Sequence, residues 1–124
     1  MNYVGSKDFL EVIGESIISN VDIDVLSRLY QPIIGYKASM LYLTLVNYIN
    51  YQEGEIISHE NIFKLMQIDP GDFLNARKAL EACGLMKSYL KLDNDTKYYT
   101  YVIYAPKSPK DFFTDVLFKG MLVK

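Results

Sequence analysis

Apolar residues between residues 58 and 105 recur first at helical and then at strand spacing. The pattern predicts two helices, a strand, a tight turn and a second strand, at Ser58–Met66, Asp69–Cys83, Leu85–Leu92, Asp93–Thr96 and Lys97–Ala105. Helix, helix, strand, turn, strand is the order of a helix-turn-helix followed by a β-wing. The sequence therefore predicts a winged helix over this segment, with Ile56-Ile57 as the short first strand of its sheet.

Capping signals mark the ends of both predicted helices. Ser58 and Asp69 have side-chain oxygens that can accept a hydrogen bond from the first turn of a helix. Pro70 follows at the first helical position, where its missing N–H costs nothing. Gly84 stands where a helix commonly ends in a left-handed residue. The second helix is predicted to bury a stripe of Phe73, Ala76, Leu80 and Cys83.

Two elements are predicted before the longest helix. Phe9–Gly14 is predicted to be a short strand, although its alternation is imperfect. A helix is predicted over Ile23–Tyr30, with Asn20 or Asp22 as its N-cap. Pro32 is predicted to end that helix, because the residue before a proline avoids the helical conformation.

The longest predicted helix is Tyr36–Asn50, in which Lys37 is the only charged residue. A helix that is apolar over most of its circumference has to be covered on most sides. We expect it to be the central helix, the alternative being that one side meets another chain. Gly35 is predicted to adopt a backbone conformation that other residues avoid. A last helix is predicted to start at Ser108-Pro109.

The chain has 124 residues, 50% of them hydrophobic, which fits one compact domain. The predicted fold class is α+β: a winged helix-turn-helix with extra N-terminal and C-terminal helices. Within a single domain over residues 1–124, residues 1–21 form an extension with a short strand. Residues 22–105 are predicted to form the core, and residues 106–124 the C-terminal helix. Because apolar residues continue to the last positions, we expect the N-terminal domain of a longer protein.

The charge of the predicted winged helix argues against nucleic-acid binding. Residues 58–105 carry six basic and six acidic side chains: Lys64, Arg77, Lys78, Lys87, Lys91 and Lys97 against Glu60, Asp69, Asp72, Glu81, Asp93 and Asp95. DNA binding needs basic groups that replace counterions on the phosphates. The alternative is a winged-helix DNA-binding transcriptional regulator. Its contacts would come from the second helix and the wing: Asn75, Lys78, Lys87, Lys91 and Lys97.

Few residues could support catalysis or hold a metal. We interpret His59, the only histidine, as a solvated residue beside a helix cap. Cys83, the only cysteine, fits a core position and a reducing cytoplasm. One histidine and one cysteine cannot build a zinc site, and Asp93 and Asp95 fit a tight turn better than a calcium loop. We predict no catalytic residues, no metal and no cofactor, and a cytoplasmic protein whose membrane binding is not expected.

Tyrosines and the last helix are the candidate contacts to other proteins. The chain has 11 tyrosines, a residue type that suits both strands and interfaces. Alternation puts Tyr99 and Tyr101 on one side of the last strand, and Tyr98 and Tyr104 on the other. We expect one side to pack on the core and the other to be covered by a partner or by the terminal helix. The predicted interface consists of Tyr98, Tyr99, Tyr101, Tyr104, Phe112, Phe113 and Val116.

One run of residues is more specific than winged-helix features in general: Leu29-Tyr30-Gln31-Pro32-Ile33-Ile34-Gly35. It is accompanied by Ala38, Leu41-Tyr42-Leu43, Leu80–Leu85, Tyr104–Pro106, Ser108-Pro109 and Phe112-Phe113. Together these residues resemble the Gram-positive replication-initiation proteins DnaB and DnaD. This DnaB is the initiation and membrane attachment protein, not the replicative helicase of the same name. The resemblance extends from about Phe9 to Leu122.

The resemblance implies an N-terminal winged-helix domain that self-associates into dimers or tetramers. It also implies other replication-initiation proteins as partners, in the primosome that helps to load the replicative helicase. Single-stranded DNA binding in that family belongs mainly to a separate C-terminal domain with a Tyr…Ile…Trp signature. Since this sequence has no tryptophan, DNA contact is expected to be weak or to run through that other domain. Pro32 and Gly35 are expected to fix a bend between helices.

The function expected from the sequence is therefore non-enzymatic self-association and protein docking in DNA replication initiation. A phage or plasmid replication accessory factor with the same fold stays open as an alternative, because the sequence does not separate the two.

Overall fold

The computed structural model describes residue 5 and residues 7–119, with only the backbone for residues 115–119. The elements are β1 (Phe9–Gly14), α1 (Asn20–Val25), a π-helical turn (Leu26–Tyr30), α2 (Gln31–Ile34), α3 (Tyr36–Gln52), β2 (Ile57–Ser58), α4 (His59–Met66), α5 (Pro70–Ala82), β3 (Met86–Asp93), β4 (Thr96–Ile103) and α6 (Pro109–Lys119). The predicted α+β class is confirmed, as is the order of helix, helix, strand, turn and strand over α4 to β4.

The sheet has four strands in the order β2-β1-β4-β3. β3 and β4 form the antiparallel hairpin of the wing. β1 pairs in parallel with β4 and antiparallel with β2. The N-terminal strand therefore stands between the wing and the short strand β2. This arrangement leaves β3 as an edge strand of the described sheet.

A two-residue turn closes the wing at Asn94 and Asp95. Both residues have a positive φ, 51° and 68°. Two successive positive φ values define the hairpin turn whose twist matches the twist of its strands, and Asn and Asp tolerate this conformation. The tight turn predicted between the wing strands is confirmed.

Ser19, rather than Asn20 or Asp22, caps the first helix. The Ser19 Oγ accepts a hydrogen bond from the Asp22 N–H at 3.1 Å, and the Asp22 carboxylate accepts one from the Ser19 N–H at 2.9 Å. This reciprocal pair satisfies two N–H groups that the first turn of a helix leaves free. Asp22, one of the two residues predicted as the cap, thus contributes from inside the helix, three residues after the observed cap Ser19.

The prediction that Pro32 ends the helix is wrong. The chain passes from α1 through the π-helical turn into α2. Pro32 is the second residue of α2. A proline is tolerated there, because an N–H at the start of a helix needs no partner within that helix. The change of direction comes at Gly35, whose φ is 89°. The unusual backbone predicted for this glycine is confirmed.

The core lies between the helices and one face of the sheet. Its largest fully buried side chains come from both layers: Leu10, Leu26, Leu41, Tyr42, Leu45, Ile62, Phe73, Leu80, Leu85, Met86, Tyr101 and Ile103. Helix α3 contacts α2, α4, α5, β1 and β4. This supports the central-helix interpretation. One side of α3 stays open nevertheless, since Tyr36 is 67% and Met40 50% exposed.

Two phenol groups hold the connector between β4 and α6. The Tyr42 hydroxyl donates to the Tyr104 carbonyl at 2.7 Å, and the Tyr30 hydroxyl accepts from the Lys107 N–H at 3.0 Å. The Tyr30 ring also packs on Phe112 at 4.7 Å. The predicted cap at Ser108 is confirmed, because its Oγ accepts from the first turn of α6 at 3.2 Å. These contacts fix where the last helix leaves the sheet.

Candidate interaction surfaces

His59 is a core residue, not the solvated residue that the sequence predicted. Its side chain is 0% exposed. The His59 backbone N–H donates to the Asp8 carbonyl at 3.0 Å, and Nδ1 lies 2.7 Å from the same oxygen. Ser58, the predicted cap of this helix, makes no side-chain capping bond. The Asp8 carbonyl instead satisfies the first turn of α4 and ties it to the start of β1.

The bonds around His59 fix its tautomer. A carbonyl oxygen only accepts, so Nδ1 carries the proton and donates to Asp8. In a neutral imidazole Nε2 then accepts, and the Tyr101 hydroxyl donates to it at 2.6 Å. Burial lowers the pKa of His59 to about 4, with the positive charge of Arg77 acting in the same direction. Burial also raises the pKa of Tyr101. Both ring nitrogens are occupied, so His59 holds β1, α4 and β4 together and offers no free nitrogen to a ligand.

The opposite face of the sheet carries five aromatic or apolar side chains beside four charged or polar ones. Strand register and alternation place nine residues on this outer sheet face: Phe9, Glu11, Ile13, Lys87, Tyr89, Lys91, Tyr98, Thr100 and Val102. The Phe9 and Tyr98 rings stack at 5.4 Å. A cavity of about 350 Å³ lies beside them, lined in part by Tyr89 and by Ile56. Phe9, Ile56 and Tyr89 are 36%, 59% and 55% exposed.

The four tyrosines of the predicted interface separate into two pairs. Tyr99 and Tyr101 are 6% and 0% exposed, and their rings meet His59 edge-on at 5.2 and 5.6 Å. The prediction that they face a partner is corrected, because this chain's own core encloses both side chains. Tyr98 and Tyr104 are half-buried on the other side of the strand. The alternation predicted for this strand is confirmed, and the core side is the side of Tyr99.

The helix residues of the predicted interface also differ from one another. Phe112 is 3% exposed and packs on Tyr30, so it belongs to the core and its assignment to an interface is corrected. Phe113 is 47% exposed. The side chain of Val116 lies outside the described residues.

The residues of the DNA-binding alternative do not share one surface. Asn75 and Lys78 are exposed on α5. Lys87 and Lys91 lie on the outer sheet face, where the Lys87 Nζ is 5.6 Å from the centroid of the Tyr104 ring. Lys97 pairs with Leu92 and therefore points to the opposite face of the wing. A phosphate backbone needs a continuous basic surface, and these cations are divided between two faces.

Two features of the described residues bear on other functions. Among residue 5 and residues 7–119, no helix is long and apolar enough to cross a membrane. Within the same part of the chain, no group of three or more His, Cys, Asp or Glu side chains is placed to hold a metal ion.

Known proteins resemble this chain in sequence and in structure. The model of the family described as DnaB N-terminal winged helix domain matches residues 6–124. The replicative helicase loading/DNA remodeling protein DnaB of Staphylococcus aureus (strain NCTC 8325 / PS 47) is 31% identical over 111 residues, which are 88% of this chain and 24% of that protein. The crystal structure of primosome protein DnaB (residues 1–300) from Geobacillus stearothermophilus matches with a TM-score of 0.89 and 30% identity, over 96% of this chain and 46% of that one.

These matches confirm the winged-helix fold and the family resemblance. The chain spans about a quarter of the length of the Staphylococcus aureus protein that it matches.

Proposed function

The chain belongs to the family of DnaB N-terminal winged helix domains, and from this premise we propose that it is a self-association and protein-docking domain. It is a domain of a primosome, or replication initiation, protein. Its proposed role is to join copies of the protein, as a dimer or tetramer, and to dock other replication-initiation proteins during helicase loading. The role is non-enzymatic and needs no cofactor.

The observation that carries the proposal is the outer sheet face. A sheet normally buries one apolar face, and the His59 face of this sheet already does so. The outer sheet face nevertheless presents the stacked rings of Phe9 and Tyr98 and the exposed ring of Tyr89. Aromatic residues are enriched at the centres of protein interfaces. A second chain that covers this face would bury these rings, in an interface of about 1,600 Å² in total if it is of standard size.

A double variant tests the proposal. Tyr89→Ser with Tyr98→Ser removes two rings from the outer sheet face without entering the core. We expect the dissociation constant for self-association to rise at least about tenfold, since aromatic side chains dominate interface energies. Tyr51→Ser is the matched control, because Tyr51 is 83% exposed at the far end of α3. Equal association of the double variant and the control, by light scattering, would refute the assignment of this face.

The alternative of a DNA-binding regulator receives less support. The neutral charge of residues 58–105 and the division of the lysines between two faces both weaken it. We propose that DNA contact by this domain is weak, and that membrane binding is not part of its role.

A further inference from the structure

A second surface opens between α5 and the inner side of the wing. Seven residues line a cavity of about 250 Å³ there, which we call the wing cleft: Arg77, Glu81, Ser88, Tyr89, Leu90, Lys97 and Tyr99. Leu90 pairs with Tyr99, whose side chain is buried on the core side of the sheet. The wing cleft is therefore on the side of the wing opposite the outer sheet face.

Arg77 lies at the base of this cleft with unmade hydrogen bonds. It is 6% exposed, and its guanidinium carbon is 5.8 Å from the centroid of the Tyr99 ring. Within the part of the chain that the structure describes, its buried Nε and Nη1 have no hydrogen-bond partner. A guanidinium stays charged at every physiological pH. A buried charge whose donors lack acceptors is costly, so this geometry points to a missing acceptor.

The Arg77 side chain also interacts with the Tyr101 hydroxyl, and Glu81 meets the need for a further acceptor only in part. Its Oε2 is 3.5 Å from the Arg77 Nε, a distance of ionic attraction but beyond a well-formed hydrogen bond. The same oxygen also accepts from the Ser88 hydroxyl. Lys97 brings a second cation to the cleft. Two cations and one carboxylate leave one net positive charge, which matches a single added carboxylate.

We propose that the wing cleft binds an aspartate or glutamate side chain of a protein segment that has apolar residues beside the acid. The carboxylate would accept from Arg77 and lie close to Lys97, in a charge-assisted pair. Leu90 and Leu92 are 52% and 65% exposed on the same side of the wing and would contact the apolar neighbours. β3 is an edge strand of the described sheet, so its free backbone groups suit an extended segment.

A protein carboxylate fits this cleft better than a phosphate of a nucleic acid. A nucleic-acid backbone brings many negative charges, and the cleft already contains Glu81. The Glu81 carboxylate would repel a polyanion. A sugar-phosphate backbone would also offer no apolar contact to the exposed side chains of Leu90 and Leu92. A short segment with one acid and apolar neighbours satisfies the charge and covers the leucines.

The inference rests on the proposed docking function, for which it names the partner chemistry. The test is a titration of the ¹⁵N-labelled chain with a blocked peptide, Val-Leu-Asp-Leu-Val, and with its twin in which Asn replaces Asp. We expect the Asp peptide to shift the Arg77 Nε–H resonance and the amides of Ser88 and Leu90. The Asn peptide should bind at least about tenfold more weakly, because it lacks the charge.

Variants separate a specific site from general attraction. Arg77→Met should abolish the shifts at Ser88 and Leu90, whereas Lys78→Met, an exposed cation of the same helix, should leave them unchanged. If Arg77→Met does not fold, Glu81→Gln supplies the test. It removes the competing carboxylate, so the Asp peptide should bind more tightly than it binds the unaltered chain.

Three results would overturn the inference: equal shifts by the two peptides, no shift by the Asp peptide up to about 5 mM, or stronger shifts of the same resonances by a DNA duplex. The proposed self-association can fail separately. A chain that stays monomeric but binds the Asp peptide would remove self-association and keep the wing cleft. An oligomer that does not bind the Asp peptide would keep self-association and remove the wing cleft as a binding site.

Discussion

Acidification below pH 7 should destabilise this domain through His59. The folded-state pKa of about 4 lies below the ordinary value of 6.5. The unfolded chain therefore takes up a proton first as the pH falls, and the stability held by neutral His59 is lost between about pH 6.5 and 4. A difference of 2.5 pKa units corresponds to about 3 kcal/mol once both states are protonated. Between pH 7 and 5 the expected loss is about 2 kcal/mol.

The assay is urea unfolding at several pH values between 7 and 5, for the unaltered chain and for His59→Gln. The variant will be less stable at pH 7, since Gln cannot reproduce both bonds to Asp8 and Tyr101. Its amide does not titrate, however. Carboxylates that titrate in this range contribute equally to both proteins. The free-energy difference between the two chains should therefore shrink by about 2 kcal/mol on going from pH 7 to 5.

Imidazole ¹⁵N shifts give an independent reading of the same bonds. They should report a neutral ring protonated at Nδ1 down to about pH 5. A free-energy difference that does not change with pH would contradict the reasoning. An imidazole that titrates at its ordinary pKa in the folded chain would do so as well.

Three further substitutions, with Ser58→Ala as a comparison for the third, should change stability by amounts that urea unfolding can measure. Gly35→Val should cost about 1–3 kcal/mol by backbone strain alone, because φ is 89° and no atom lies within 4 Å of the added Cβ; unchanged unfolding would remove that argument. Tyr42→Phe should cost about 1–2 kcal/mol by leaving the Tyr104 carbonyl without its 2.7 Å donor; a neutral result would mean that another donor replaces it. Asp69→Ala should cost about 1 kcal/mol through the 2.7 Å cap to Asp72, and Ser58→Ala clearly less, since Ser58 makes no capping bond; equal costs would contradict this account of the caps.

Local signals were enough to predict most of the elements. The Asp69-Pro70 start and the Gly84 end of α5 depend on backbone chemistry within a few residues, and the observed helix follows them. The wing turn at Asn94 and Asp95 is of the same kind. Pro32 was misread because its effect depends on position. A proline that would break a helix interior is accepted in a first turn, and the sequence does not reveal where α2 begins.

The placement of β1 depends on contacts that no local pattern contains. The strand Phe9–Gly14 was expected, but not its insertion between β2 and β4. That insertion brings the Asp8 carbonyl to His59, which is 51 residues away in sequence. His59 was expected to be solvated because no local pattern predicts this long-range bond.

Helical spacing did indicate burial for two of the buried polar residues, His59 and Arg77. His59 is three and four residues before Ile62 and Phe63, on the apolar side of α4. Arg77 is likewise four residues after Phe73 and three before Leu80, within the buried stripe of α5. Their positions predict burial, whereas their chemical types suggest exposure. Polar residues on an apolar stripe are the places where a tertiary partner should be sought.

Alternation in β4 divided the tyrosines correctly but could not say which side was the core. Helices α4 and α5 make that choice, since Tyr101 meets both His59 and Phe73. An interface assigned to all four tyrosines therefore reduces to Tyr98 and Tyr104 on the outer side, with Phe9 and Tyr89 contributed by other strands.

The solution mass of this chain across a concentration series, measured by light scattering, tests the central claim most directly. The proposed function predicts a mass of two or four chains that falls toward one chain on dilution. A mass of one chain at every concentration, up to the highest that stays in solution, would contradict self-association through this domain.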